Sequence, residues 1–182
     1  MKPHRVFIAI NLPDEAKEKL LAYKTKWPEV PARWTTPENL HLSLAFLGNT
    51  SDQELKEVCE SMQEVGERHK PFSININRIV YGPDAKRLRM IWAVGESSHE
   101  LLALQKDVEK TLEQESDQTF SPHLTLARLK AFELQRMEAE ELPEVNEEIS
   151  LSFDVNSLGV MESAVKRSGA EYTVVQSCKL GA

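Results

Sequence analysis

The sequence predicts an α+β fold: two similar lobes of mostly antiparallel sheet with outer helices, related by a pseudo-twofold axis. Three observations carry this. Short strand-like runs outnumber helical ones and are separated by turn residues. Two neighbouring runs, Phe72 to Tyr81 and Arg87 to Val94, flank Gly82-Pro83-Asp84 and read as a hairpin. A seven-residue segment occurs twice, at 41–47 and 123–129, each time after a strand and a helix.

The elements follow in order. Arg5 to Asn11 reads as a buried strand, and Pro13-Asp14 opens a helix with Ala16, Leu20, Tyr23 and Trp27 at helical spacing. Pro28 and Pro31 punctuate it, Arg33-Trp34-Thr35 reads as a short strand, and Pro37-Glu38-Asn39 as a turn. His41 to Leu47 is the next strand, closed by Gly48-Asn49. Ser51-Asp52-Gln53-Glu54 has the capping-box pattern, and its helix places Leu55, Val58, Cys59, Met62 and Val65 on one stripe. Ser97-Ser98-His99-Glu100 starts a third helix with Leu101, Leu104, Val108 and Leu112 inward. The polar stretch Glu113 to Gln118 connects it to the strand His123 to Leu129. Phe132 to Glu148 reads as a weak helical or irregular acidic segment. Two last strands, Ile149 to Met161 and Glu171 to Lys179, flank the basic turn Lys166 to Gly169.

Composition narrows the function. A chain of 182 residues, 41% of them hydrophobic, fits one two-lobed domain over residues 1–182. The formal charge of -7 argues against coating a long nucleic acid, which needs a basic face to displace counterions. It leaves room for a cleft in which a few placed donors hold one or two phosphates. Only five apolar residues, Val6 to Ile10, follow the basic N-terminus, and no membrane-length run comes later. Cys59 and Cys178 read as reduced thiols, so the expectation is a cytoplasmic protein with no membrane partner.

The repeat carries the chemistry. His41-Leu42-Ser43-Leu44-Ala45-Phe46-Leu47 aligns with His123-Leu124-Thr125-Leu126-Ala127-Arg128-Leu129, identical at five of seven positions. Side chains alternate along a strand, so His41 and Ser43 share a face while Leu42 and Leu44 anchor the other; His123 and Thr125 repeat this. Within one motif the two polar residues lie roughly 6–7 Å apart at the backbone, from a rise of ~3.3 Å per residue. A phosphate fits between two such pairs. One neutral and one protonated imidazole suit the opening of a cyclic phosphodiester, and the hydroxyls can donate to its non-bridging oxygens. Arg128 lies five residues after His123, an odd offset that turns it away in an ideal strand; a bulge or twist would return it. A lone histidine would read as a satisfied strand residue, but the duplicated frame does not.

With these residues the chain resembles the RNA 2′,3′-cyclic phosphodiesterases, also described as 2′-5′ RNA ligase-like, of the two-histidine phosphoesterase superfamily. The resemblance runs through Arg5 to Ile10, Trp34, Glu38 to Leu44 with Phe46-Leu47-Gly48, and Phe120 to Arg128. It implies two α+β lobes around a central cleft, with His41 and His123 catalytic and Ser43, Thr125 and Arg128 holding phosphate. By family analogy His41 gives a proton to the 3′ oxygen and His123 serves as base for water. No cofactor and no metal are implied, and the expected partners are RNA ends or small cyclic-phosphate nucleotides. The same residues run in reverse would join RNA ends through a 2′-5′ linkage, and an idle nucleotide-binding or RNA-end-binding domain is the third reading.

Other residues read as structural: His4, His69 and His99 lack the duplicated frame, and Cys59 packs on its helix. Phe46 and Trp34 are candidates to stack on a base, with Trp34 equally suited to the core. Lys86, Arg87, Arg89, Lys166 and Arg167 are basic spots whose roles the sequence does not fix. The natural substrate and the oligomeric state are also left open, a monomer being expected.

Overall fold

The computed structural model of the chain describes residues 3–84, 87–114, 119–138, 140–167 and 169–181. Strand β1 (His4–Asn11) turns Val6, Ile8 and Ile10 to the main core and Phe7 and Ala9 to the opposite face. Helix α1 (Asp14–Ala22) carries Asp14 and Glu15 in its first turn, where the partial positive charge of a helix N-terminus favours acids. It buries Ala16 and Leu20, then tightens into a 3₁₀ turn at Tyr23–Lys26 before Trp27 enters the core. Strands β2 (Ala32–Trp34) and β3 (His41–Thr50) flank a 3₁₀ turn at Pro37–Asn39.

Helix α2 (Asp52–Arg68) has the expected capping box. The Glu54 N–H donates to Ser51 Oγ at 3.3 Å, and the Ser51 N–H donates to the Glu54 carboxylate at 2.7 Å. Strands β4 (Phe72–Asp84) and β5 (Arg87–Gly95) form the expected hairpin, but Gly82-Pro83-Asp84 are not its turn: they continue β4, with Pro83 opposite Leu88 and Asp84 opposite Arg87. Helix α3 (His99–Thr111) is capped by Ser98. Strand β6 (His123–Leu129), the single-turn helix α4 (Ala131–Leu134), and strands β7 (Asn146–Val155), β8 (Ser157–Lys166) and β9 (Gly169–Lys179) complete the order. The polar connector after α3 falls partly at 115–118, and Ser168 of the basic turn also lies outside the described residues.

Two further expectations are corrected: β3 is not closed by Gly48-Asn49 but runs through them to Thr50, because β1 pairs with it that far, and the last strands divide differently. Ile149 to Met161 is not one strand: the chain leaves the sheet at Asn156 and re-enters it elsewhere. β7 pairs with β4, with Leu151 opposite Ile76, whereas β8 pairs with β1, with Val160 opposite Ile8. Both stretches carry strand-forming residues, and no glycine or proline marks the crossing; the break shows only in the pairing. β7 also begins earlier than expected, inside the acidic segment, because β4 offers it a partner as far as Val80 opposite Asn146.

The nine strands form one antiparallel sheet in the order β7-β4-β5-β6-β3-β1-β8-β9, with β2 paired to β6. Read outward from the middle, β6-β5-β4-β7 mirrors β3-β1-β8-β9, so the two repeat strands meet at the centre of a pseudo-twofold arrangement. Helix α2 packs on β1, β8 and β9, and α3 on β3 and β4, around a core that includes Leu42 and Leu124. Among the described residues the opposite face buries only a small cluster, Phe7, Ala9 and Met161 with Tyr172 beside it. Among the described residues no helix is long and apolar enough to cross a membrane.

His4 ties three elements together. Its Nε2 meets Asp52 at the start of α2 and its Nδ1 meets Glu162 on β8, each at 2.7 Å. The hydrogen bonds to Asp52 and then Glu162 hold this imidazole above its usual range. A group whose folded-state pKa is raised stabilises fully below its unfolded value of about 6.5, and that gain is lost as pH rises through the folded value. The Tm difference between the wild type and His4→Gln is therefore expected to be largest near about pH 5.5 and to shrink at alkaline pH. A difference constant across that range, measured by thermal melts, would show that the clamp is not charged.

Candidate active site

β3 and β6 touch through one backbone pair, Leu42 opposite Leu124. Both leucines are fully buried. Antiparallel register running from that pair sets His41 across from Thr125 and Ser43 across from His123. All five residues expected at the site, His41, Ser43, His123, Thr125 and Arg128, line a single cleft of about 1160 Å³.

Arg128 reaches that face through a bulge. In the β5–β6 ladder Ile91 pairs with Ala127 and Trp92 with Thr125, leaving Leu126 as the extra residue. Leu126 and Ala127 both go to the core, alternation restarts one residue late, and Arg128 returns to the face of His123. Thr35 satisfies the backbone there: its N–H donates to the Leu126 carbonyl at 2.8 Å and its hydroxyl to the Thr125 carbonyl at 2.7 Å. β3 has the matching bulge, since Ile8 pairs with Ala45 and Ala9 with Ser43, leaving out Leu44. Phe46 consequently occupies the position equivalent to Arg128. It is 69% exposed, lines the cleft, and stacks on Phe7 at 5.9 Å.

The two imidazoles are held alike. His41 Nδ1 lies 2.8 Å from the Asn39 carbonyl, and His123 Nδ1 lies 2.8 Å from the Ser121 carbonyl. A carbonyl only accepts, so each Nδ1 carries the proton and each Nε2 is left for chemistry. In this tautomer the Ser43 hydroxyl donates to His41 Nε2 at 3.1 Å. Thr125 Oγ1 and Arg128 Nη1 both point to the Met90 thioether, at 3.9 and 4.0 Å. Sulfur is a weak acceptor, so two donors stand ready for a better one, such as a phosphate oxygen. Burial pushes His41 below the usual imidazole range. The Asn39 carbonyl acts against this, and the positive charges of Arg128 and His123 add to it.

Residues 13–167 match the pattern of the 2′-5′ RNA ligase superfamily. The chain belongs to that superfamily. It is 30% identical to the RNA 2′,3′-cyclic phosphodiesterase of Aquifex aeolicus over 160 residues, 84% of each chain. It is also 30% identical to the Thermus thermophilus enzyme of the same name over 191 aligned positions, 97% of this chain and 90% of the relative. Among solved structures, a Thermus thermophilus protein superposes with a TM-score of 0.83 at 26% identity over 97% of both chains. E. coli LigT, crystallised with phosphate, gives 0.77 at 25% identity over the whole of both.

The surroundings of the two histidines in this superfamily member differ, and sequence reasoning missed them. His41 is wedged between Phe7, 4.9 Å away and tilted, and the edge of Tyr172, 5.0 Å away. His123 lies flat on Trp92, with ring centroids 3.9 Å apart and planes 24° apart. Only the Trp92 signal was available in advance, as a bulky residue inside the second hairpin strand. Of the earlier stacking candidates, Trp34 lines the cleft but packs partly on the core. Arg89 is exposed, and Lys86 and the Arg87 side chain fall outside the described residues. His69 binds Asp107 at 2.9 Å, and burial raises the Cys59 thiol, in keeping with structural roles. Among the described residues, no three His, Cys, Asp or Glu side chains are grouped to hold a metal ion.

Trp92 is itself constrained. Its Nε1 is buried and without a partner among the described residues, and any Cβ at Gly82 would overlap its ring. An indole kept there against an unmet hydrogen bond is held by its packing, and His123 rests on it. Gly82→Ala, which adds no polar group to the cleft, is expected to lower kcat about tenfold to a hundredfold by tilting the indole, since small misplacements cost that much. Trp92→Leu should do the same and Trp92→Phe much less. Steady-state kinetics with far-UV circular dichroism on each variant would check this, and a fully active Gly82→Ala would refute it.

Proposed function

We propose that the chain hydrolyses a terminal RNA 2′,3′-cyclic phosphate to a 2′-phosphomonoester, with His41 and His123 as the acid–base pair. The observation that carries this is the pair of imidazoles, each fixed at Nδ1 by a backbone carbonyl, with both Nε2 atoms turned to one cleft. Superfamily membership and the names of the relatives support a phosphoesterase activity. Water attacks phosphorus while one Nε2 takes its proton; the P–O3′ bond breaks and the other Nε2 gives O3′ a proton. Ser43, Thr125 and Arg128 donate to the non-bridging oxygens, Arg128 offsetting the charge that builds there.

The resemblance assigns His41 as the acid and His123 as the base. One observation favours the reverse: burial favours neutral His41 in the empty cleft, which is the state a base needs. A bound phosphate anion acts the other way, favouring imidazolium. A substrate whose 3′ leaving group needs no proton separates the two, because it rescues the variant that has lost its acid. Rescue of His41→Ala is expected, and rescue of His123→Ala instead would exchange the roles.

If His41 is the acid, the alkaline limb of kcat/KM, which reports the free enzyme, falls below the ordinary imidazole range. The limb of kcat, which reports the complex, moves to higher pH because the bound anion favours imidazolium. Coincident limbs would remove the anion from the neighbourhood of His41.

His41→Ala and His123→Ala are each expected to lose about 10²–10⁴ in turnover of a 2′,3′-cyclic nucleotide while remaining folded. The double variant should lose less than the product of the two, since the pair acts as a unit. Turnover is expected to persist in excess chelator, the donors being imidazoles, hydroxyls and a guanidinium. A folded single variant with near wild-type turnover would remove that histidine from the mechanism.

A further inference from the structure

One end of the cleft carries charge that the chemistry at the histidines does not use. β2 runs antiparallel along the far end of β6, with Arg33 directly opposite Arg128. Directly opposed residues of an antiparallel pair point to the same face, and both arginines line the cleft. Among the described residues neither forms an ion pair; Arg128 has only the weak contact to Met90. Like charges set directly opposite one another are destabilising. Carboxylates are not scarce, with 29 Asp and Glu against 22 Lys and Arg, yet none pairs with either guanidinium among the described residues. Glu171, on the same cleft wall, is already engaged by Lys166.

Arg33 is exposed, and its guanidinium has a close neighbour. Its guanidinium packs against the tip of the β8–β9 hairpin, where a Cβ on Gly169 would fall 2.5 Å from Nη2 and 2.9 Å from Cζ. Gly169 has φ 125°, a conformation that suits glycine, so it sets bare backbone beside the Arg33 side chain. A positive group beside Arg128, lacking a counter-charge among the described residues, is a site for a second anion.

This inference rests on the cyclic phosphodiesterase reading, in which Arg128 serves the cyclic phosphate. The next phosphate along such a substrate is the one on O5′ of the same nucleotide. We propose that Arg33 binds that 5′-side phosphate. The cleft then takes the end of an RNA strand, with its phosphodiester on O5′, in preference to a cyclic mononucleotide with a free 5′ hydroxyl. A planar fork of donors suits a phosphodiester. The acidic remainder of the chain adds no attraction for a longer strand, so recognition is confined to the terminal step.

The test compares kcat/KM for three probes sharing one base. They are the 2′,3′-cyclic mononucleotide with a 5′ hydroxyl, the same nucleotide with a 5′ phosphate, and a dinucleotide ending in a 2′,3′-cyclic phosphate. Wild type is expected to prefer both phosphate-bearing probes by about tenfold or more, the size of one charge-assisted hydrogen bond. In Arg33→Ala that preference should fall towards one; in Arg33→Lys, which keeps the charge, most of it should remain. Thermal melts establish that both variants are folded. The proposal is overturned if wild type shows no preference, if Arg33→Ala keeps the wild-type ratio, or if all three probes lose rate in parallel. It is overturned too if only the dinucleotide responds, since the contact would then lie with the upstream nucleoside. Turnover of none of the probes by wild type would instead sink the cyclic phosphodiesterase reading, and this proposal with it.

Discussion

The contact between β3 and β6 through Leu42 and Leu124 fixes which atoms share the cleft. The side-chain period of a strand is two, so slipping either strand by one residue would send its histidine to the core and a leucine to the cleft. What prevents the slip is the burial of leucines on the other face: Leu42 and Leu124 are completely covered, and removing such a side chain costs about 2–5 kcal/mol. The apolar frame of the repeat thus sets the register, and the register sets the polar geometry. Helices α2 and α3 supply the surface against which that frame is buried.

A symmetric scaffold does not make the two halves chemically equal. Position for position, the strand beside β3 presents Ala9 where the strand beside β6 presents Trp92. That exchange gives His123 a flat aromatic floor, while His41 is enclosed by Phe7 and Tyr172, and burial lowers the His41 pKa. Two copies of one motif are in this way placed in unlike surroundings by residues outside the motif. An acid and a base have to differ in protonation, and neighbours can impose the difference that the repeat itself does not.

Much of this was legible in the sequence because it depends on period and punctuation. The repeat, the capping box before α2 and the hairpin between β4 and β5 are local patterns with local causes. The separation of β7 from β8 was not legible, because Asn156 is a weak signal and the pairing partners that distinguish them lie elsewhere in the chain. The return of Arg128 was conditional on a bulge, and nothing in Leu126-Ala127 says which of two apolar residues the ladder will skip; the pairing with β5 decides it. Phe7, Tyr172 and Arg33 gave no sign of themselves, since each reaches the cleft only through the packing of strands distant in sequence.

The matched bulges have one more consequence. By restarting alternation at the same point in both repeats, they bring forward the one pair of side chains in which the repeats differ most in character, Phe46 and Arg128. Without them both would face the core. With them, Phe46 and Arg128 both enter the cleft, an uncharged ring in one half and a guanidinium in the other. The groove therefore has a head and a tail, and its two senses are not equivalent for a molecule laid along it.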